Sequence, residues 1–114
     1  MSLNEKQALF TRLIAELITW CFANGYPVIG AELYRTKEQA EIYAAQGKGI
    51  KNSNHRLKLA LDLFRMKNGR VTWEDAEYLP IGEKWESMHP LCRWGGRFKR
   101  RDAVHFSLIH RGTA

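Results

Sequence analysis

The stretch LKLALDLFRM, residues Leu57–Met66, alternates between two kinds of side chain. Leucine occupies every second position at its start, and the positions between include Asp62 and Phe64. A period of two is typical of a β-strand with one apolar face. Asp62 is the exception, because aspartate is disfavoured in strands and its burial is costly without a partner. We therefore expect a compensating group close to Asp62.

Segments on both sides of this stretch predict the rest of a sheet. Asn68-Gly69 is typical of a tight hairpin turn, so Arg70–Thr72 is expected to pair with the strand before it. Gly95-Gly96 predicts a second turn. The other predicted strands are Tyr26–Leu33, Cys92–Trp94 and Ala103–Ile109.

Three further segments have helical patterns. The first carries apolar residues in two adjacent rows of spacing four, which predicts one wide buried face. Thr36 and Gln39 form a capping-box pattern at the start of the second. Pro80 is expected to break the third into two pieces. The predicted helices are Asn4–Phe22, Thr36–Gln46 and Trp73–His89, and Gly47–Asn54 is expected to be a loop. The sequence thus predicts an α+β fold, a small, largely antiparallel sheet with two or three helices.

Length and composition limit the class of protein. The 114 residues are enough for a single domain spanning 1–114, and 45% hydrophobic and 26% charged residues are ordinary globular values. Eighteen Lys and Arg against 12 Asp and Glu give a net charge of +6, which favours an anionic partner. We expect reduced cysteines, a monomer with no membrane anchor, and synthesis in the cytoplasm, since no secretory signal or membrane span is apparent.

Two histidines are candidate partners that would offset the cost of burying Asp62. His55 lies at the mouth of its strand, and His105 lies in the last strand on the face opposite Val104 and Phe106. Two histidines and one aspartate on adjacent strands suit a catalytic zinc, which keeps its fourth position for water. Taken singly, each residue has an ordinary reading as a loop histidine, an ion-paired aspartate or a core histidine.

Asp102, three residues before His105, has two readings. It could take a proton from water at a metal and return it to a leaving amine, or it could be a solvated acid that pairs with a neighbouring arginine. The basic run Arg97–Arg101 leaves a competing function open, a nucleic-acid-binding module without catalysis. That alternative leaves Asp62 unexplained, and we expect no nucleic-acid partner.

The motifs Ser53-Asn54-His55, Ala60-Leu61-Asp62 and Asp102-Ala103-Val104-His105-Phe106 resemble the zinc peptidases that cut D-amino-acid-containing bonds in peptidoglycan. That family includes D-alanyl-D-alanine carboxypeptidases and dipeptidases, phage L-alanyl-D-glutamate endopeptidases and, as a fold relative, the hedgehog signalling domain. The resemblance covers about Gly30 to Leu108. It implies a hedgehog-like α+β fold, Zn²⁺ held by His55, Asp62 and His105, and Asp102 as the catalytic base.

The resemblance also implies roles for three further residues. Tyr34-Arg35-Thr36 with Gln39 is similar to the arginine segment of the family, in which Arg35 would stabilise the oxyanion and Gln39 would bind substrate. Ser53 would bind the substrate backbone or a carboxylate. Lys58 departs from the pattern, because the family usually has glycine three residues after the first zinc histidine.

These implications lead to an expected function. We expect a zinc metallopeptidase of phage origin, similar to an endolysin, that hydrolyses the L-alanyl-D-glutamate bond of murein stem peptides. It would accumulate in the host cytoplasm and reach the cell wall after the membrane opens. The alternative within the family is a D-alanyl-D-alanine carboxypeptidase or dipeptidase.

Overall fold

The computed structural model describes residues 1–31, 36–46 and 53–114. Its helices are α1 (Leu3–Ala23), α2 (Lys37–Ala45) and α3 (Asp75–Met88), and its strands are β1 (Val28–Ala31), β2 (Ala60–Lys67), β3 (Arg70–Val71), β4 (Cys92–Trp94) and β5 (His105–Leu108). A short 3₁₀ turn, Gly95–Arg97, takes the place of the predicted Gly95-Gly96 turn. The α+β class predicted from the sequence is confirmed.

The sheet has the order β1-β2-β5-β4, and β3 pairs with the far end of β2. All of these pairings are antiparallel. The β2–β3 turn has left-handed backbone at both Asn68 (φ 53°) and Gly69 (φ 78°), as a two-residue hairpin of this kind requires. In the register of the sheet, Asp62 of β2 lies between Ala31 of β1 and His105 of β5.

Helices α1 and α3 cover one face of the sheet. The ring of Trp85 on α3 makes edge contacts with Phe10 of α1, at 5.9 Å, and with Phe106 of β5, at 6.5 Å. Leu61 and Leu63 of β2 are buried with them. On the other face of β2, Asp62, Phe64 and Met66 are only partly buried. The hydrophobic core therefore lies on the leucine side of β2, and Asp62 lies on the opposite face.

The strand predicted over Leu57–Met66 begins only at Ala60. A turn occupies the preceding residues, with hydrogen bonds from the amides of Leu57 and Leu59 to the carbonyl of Asn54 at 3.1 and 2.9 Å. Lys58 adopts a left-handed backbone with φ 56°. Alternation of leucines continues through this turn because both Leu57 and Leu59 pack towards the core, so the side-chain pattern alone placed the strand start too early.

The predicted break at Pro80 was wrong, because α3 is continuous from Asp75 to Met88. A proline at this position removes only the hydrogen bond to the carbonyl of Ala76, and Ala76 lies in the exposed first turn where water can replace the donor. Buried Tyr78 and Trp85, on either side of Pro80, hold both halves of the helix against the core.

Other boundaries differ at the ends. Residues 103 and 104 belong to a turn rather than to β5, and the end of the predicted strand Tyr26–Leu33 and most of the predicted loop Gly47–Asn54 lie outside the described residues. Cys21 and Cys92 are buried free thiols, and burial raises the pKa of Cys92 to about 12. Among the described helices, none combines the length and the apolar character that crossing a bilayer requires.

Candidate metal centre

Three side chains meet on the open face of the sheet: His55 from the turn before β2, Asp62 from β2 and His105 from the first position of β5. Oδ1 of Asp62 lies 3.3 Å from Nε2 of His55 and 3.7 Å from Nδ1 of His105. The two imidazole rings lie edge to face, 5.1 Å apart. The turn before β2 and the antiparallel pairing of β2 with β5 thus bring together residues that are up to fifty positions apart in the chain.

The cluster is shielded from water but reachable from one side. His55 and His105 are 3% and 7% exposed, whereas the Asp62 side chain is 18% exposed. Burial by itself would raise the pKa of Asp62, but the neighbouring His105 and His55 outweigh it, and the pKa of the carboxyl lies below its usual value. Asp62 is therefore an ionised carboxylate at neutral pH.

The donor atoms fit a divalent metal ion. Although both histidines approach Oδ1 of Asp62, that buried atom accepts no hydrogen bond of acceptable geometry from the described residues. The three donor atoms lie within 4.8 Å of one another. Ligand atoms at the usual bond lengths around a tetrahedral zinc are roughly 3.3 Å apart, so two of the observed separations are close to that value. Two nitrogens and one carboxylate oxygen are also the donors that zinc takes in hydrolytic sites.

The ring of His105 has a second partner outside the cluster. Its Nε2 lies 3.1 Å from the main-chain oxygen of Ala114. With a metal ion in the cluster, a hydrogen bond to that oxygen would keep the proton on Nε2 and leave the lone pair of Nδ1 for the ion, which is the tautomer a metal ligand needs. The segment after β5 returns to this point through an antiparallel bridge between His110 and Thr113.

Asn54 ties that returning segment to the turn that carries His55. Its side-chain amide donates to the carbonyls of Leu108, at 2.7 Å, and Thr113, at 2.8 Å, and Asn54 is completely buried. The Asn54 side chain thus joins the turn that carries His55 to the end of β5 and to the residue before Ala114. No local pattern in the sequence indicates this role of Asn54, because its partners lie more than fifty residues away.

A tight turn positions Asp102 three residues before His105. The amide of Asp102 donates to the carbonyl of Gly95 at 2.9 Å, and the carbonyl of Asp102 accepts from the amide of His105 at 3.1 Å. A Cβ on Gly95 would lie 2.2 Å from that Asp102 oxygen and 2.8 Å from Cβ of His105, so only glycine fits there. Asp102 itself is exposed, with its backbone fixed beside the third histidine.

Two of the other predicted site residues are described. Ser53 is 5% exposed, and its hydroxyl accepts a hydrogen bond from the amide of His55 at 3.2 Å, so it holds the turn in shape. Gln39 lies in the exposed first turn of α2, where its amide donates to the Thr36 hydroxyl at 3.1 Å. Arg35, the predicted oxyanion residue, lies outside the described residues.

Aromatic and basic residues surround the cluster. The ring of Phe98 lies 5.5 Å from that of His105, so Phe98 is a wall of the site, a role that its sequence neighbours do not predict. Two members of the basic run are paired with acids: Arg97 with Glu86 at 2.6 Å and Arg101 with Asp75 at 3.8 Å. Such pairing lowers the positive charge that this run offers to a phosphate backbone.

Two comparisons with known proteins find similar proteins. Residues 46–108 match the profile of a family described as D-alanyl-D-alanine carboxypeptidase, and this span includes all three residues of the cluster. The crystal structure of the L-Ala D-Glu endopeptidase ChiX of Serratia marcescens is similar in fold, with a TM-score of 0.76 and 24% identity over 90% of this chain and 79% of that one. No curated protein matches the sequence.

Proposed function

The chain belongs to the D-alanyl-D-alanine carboxypeptidase family, and from this premise we propose that it is a zinc-dependent peptidoglycan peptidase. Its proposed reaction is hydrolysis of the L-alanyl-D-glutamate bond of murein stem peptides, as in an endolysin of phage origin. The observation that carries the proposal is the buried cluster of His55, Asp62 and His105, in which a carboxylate oxygen has no hydrogen bond from the described residues.

The proposed ligands are Nε2 of His55, Oδ1 of Asp62 and Nδ1 of His105, the atoms that face one another in the cluster. A bound zinc ion supplies Lewis acidity, which polarises a carbonyl and makes water a nucleophile near neutral pH. His55 and His105 would bind the ion as neutral imidazole rings. The Asp62 carboxylate offsets part of the positive charge of the ion in a site that is largely closed to water.

Asp102 is the proposed general base. It accepts a proton from the attacking water while the oxygen of that water forms a bond to the scissile carbonyl carbon, and it then donates the proton to the departing amine as the carbon–nitrogen bond breaks. The products are a peptide ending in a carboxylate and a peptide beginning with an amine. Arg35 is the proposed partner of the oxyanion, and Ser53 and Gln39 are the proposed substrate contacts.

Three considerations favour the L-alanyl-D-glutamate bond over the terminal D-alanyl-D-alanine bond. The base is the shorter acid, Asp102, which resembles the phage endopeptidases, and the fold is similar to that of an enzyme named for the L-Ala D-Glu bond. A positively charged chain also suits a stem that carries carboxylates on the D-glutamate side of the cut. The carboxypeptidase activity in the family description is the alternative outcome of the test.

The test joins metal analysis to product analysis. Elemental analysis should find about one zinc per chain in the wild type and a large loss of zinc in Asp62→Ala and His105→Ala. Asp75→Ala is the matched control, because Asp75 is an exposed acid whose partner lies at 3.8 Å. Full zinc retention in both cluster variants would refute the assignment of the site.

Mass spectrometry of digested murein identifies the bond. Release of stem peptides that begin with D-glutamate supports the proposed endopeptidase. Loss of only a terminal D-alanine from pentapeptide stems would establish the carboxypeptidase instead. Salt-dependent binding of DNA or RNA that a chelator leaves unchanged, without any peptide hydrolysis, would favour the nucleic-acid module.

A further inference from the structure

The open face of the sheet carries an exposed apolar row beside the metal cluster. We use the term apolar row for Ile29, Phe64 and Trp73. Ile29 of β1 pairs with Phe64 of β2, and the β2–β3 pairing continues through a hydrogen bond from the amide of Thr72 to the carbonyl of Arg65, which brings Trp73 opposite Phe64. The rings of Phe64 and Trp73 are in contact, with centroids 5.2 Å apart.

The apolar row runs parallel to the row that contains the candidate metal ligands. Ala31, Asp62 and His105 lie opposite one another on β1, β2 and β5. Asp62 and Phe64 are two positions apart in β2, so their side chains leave the same face of the sheet, about 7 Å apart along the strand. Trp73 lies on the same side of β2 as His105.

The apolar row is open to solvent. Trp73 is 66% exposed and Ile29 is 45% exposed. Both are thus more accessible than the residues of the metal cluster, and helices α1 and α3 pack on the opposite face of β2. Contiguous exposed apolar side chains next to a group of convergent polar side chains are typical of a ligand site rather than of ordinary surface.

We propose that the apolar row binds the pyranose ring of the amino sugar to which the stem peptide is attached. This inference rests on the proposed function and names a part of the substrate that the metal cluster does not touch. The C–H groups on one face of a pyranose ring pack on aromatic rings, while its hydroxyl and acetamido groups stay in water. Trp73 supplies the exposed aromatic surface for such packing, and Ile29 and Phe64 extend it.

The length of the substrate argues for this occupant. Between the L-alanyl carbonyl and the sugar lie one alanine and one lactyl group, about two chain units or roughly 7 Å when extended. That is the separation of the two rows on the sheet. From the terminal D-alanyl-D-alanine bond, the sugar lies about five units or roughly 17 Å away. An amino sugar therefore reaches the apolar row when the bond at the cluster is the one next to the first residue of the stem.

The first test compares two substrates that differ only in the sugar. They are the free stem peptide and the same peptide joined to its N-acetylated amino sugar. For the wild type, kcat/KM should be higher for the sugar-linked peptide by roughly fivefold to tenfold, the size of one aromatic contact. Trp73→Ala should remove this preference and leave the free peptide unaffected, and Trp73→Phe should restore part of it.

Phe22→Ala is the matched control, because Phe22 is also an exposed aromatic, 57% accessible, but lies at the end of α1. It should leave both substrates unchanged. An equal loss on both substrates in Trp73→Ala, or no loss on either, would overturn the proposal.

The second test needs no catalysis and so separates the two proposals. The peptide-free disaccharide of the two peptidoglycan amino sugars is titrated into the ¹⁵N-labelled protein and followed by NMR. The indole signal of Trp73 and the amide of Ile29 should shift, while the buried indole of Trp85 should not. If these shifts occur in a protein that cleaves neither peptide, the sugar site stands and the proposed reaction fails. If they do not occur, the sugar site is wrong even where the peptide is cleaved.

Discussion

Replacement of Asn54 by alanine tests how the candidate site is held together. Asn54 is fully buried, and its amide nitrogen is the donor to the carbonyls of both Leu108 and Thr113. Alanine keeps the backbone of the turn, including the Asn54 carbonyl that accepts from Leu57 and Leu59, but removes both side-chain hydrogen bonds. The variant therefore tests the two side-chain hydrogen bonds alone, because the backbone hydrogen bonds of the turn remain.

The size of the effect follows from the two lost bonds. Each buried hydrogen bond contributes about 1–1.5 kcal/mol, which gives a gross loss of about 2–3 kcal/mol. Oδ1 of Asn54 is itself buried without a hydrogen bond from the described residues, and its removal returns part of that loss. A net loss of about 2 kcal/mol corresponds to a fall in Tm of about 8 °C for a chain of this size.

Thermal unfolding of metal-free protein, followed by circular dichroism, measures this loss. Asn24→Ala is the matched control, because Asn24 also donates from its side chain to a carbonyl, that of Trp20, at 2.8 Å, but is exposed. It should change Tm by less than about 2 °C. An equally small change in Asn54→Ala would refute the argument that this side chain is the bridge between the two segments.

Three further changes test other parts of the structure. Asp102→Asn should keep zinc and lose turnover by about a hundredfold or more, as expected for a lost general base, whereas loss of zinc in this variant would make Asp102 a metal ligand. Lys58→Gly should melt about 2 °C above Lys58→Ala, because both variants lack the lysine side chain and φ 56° costs alanine about 1 kcal/mol that glycine avoids, of which the freer unfolded chain offsets only part; an equal or lower Tm for the glycine variant would contradict the strain. A hydrogen bond from Lys67 lowers the pKa of Glu77 from 4.5, so the ionised form stabilises the fold above that pH and this contribution disappears as the pH falls through the lower folded value. Melting curves between pH 3 and 7 should therefore show a steeper decline for the wild type than for Glu77→Gln, and parallel declines would show that the pair contributes nothing.

The cluster was accessible to sequence reasoning because its members break local rules. An aspartate in a run of alternating leucines is costly unless something compensates it, and the alternation itself puts Asp62 on the face away from Leu61 and Leu63. The same alternation in the last strand puts His105 on the face away from Phe106. Both side chains lie where that pattern predicts, beside each other in the β2–β5 register.

The contacts that support the cluster left no local signal. Asn54 bonds to residues 54 and 59 positions away, and the ring of His105 meets a main-chain oxygen of Ala114. Neither contact is predicted by a hydrophobic periodicity or by the residue types next to it in the sequence. The early start assigned to β2 had a similar cause, because a left-handed backbone at Lys58 changes the chain direction without altering the spacing of the leucines.

A single strand register of β2 determines both which residues form the hydrophobic core and which form the candidate site. Side chains alternate strictly across a strand, so a slip of β2 by one residue would bury the Asp62 carboxylate among the helices and expose Leu61 and Leu63. Burial of each leucine is worth about 1.5–3 kcal/mol, and an unpaired buried carboxylate costs several more, so the slipped pairing is strongly disfavoured. The same preference holds Asp62 opposite His105 and Phe64 in the adjacent row on the same face. Apolar packing on one side of the sheet thereby positions the ionised groups on the other, without any direct attraction between the histidines and the aspartate being needed to set the pairing.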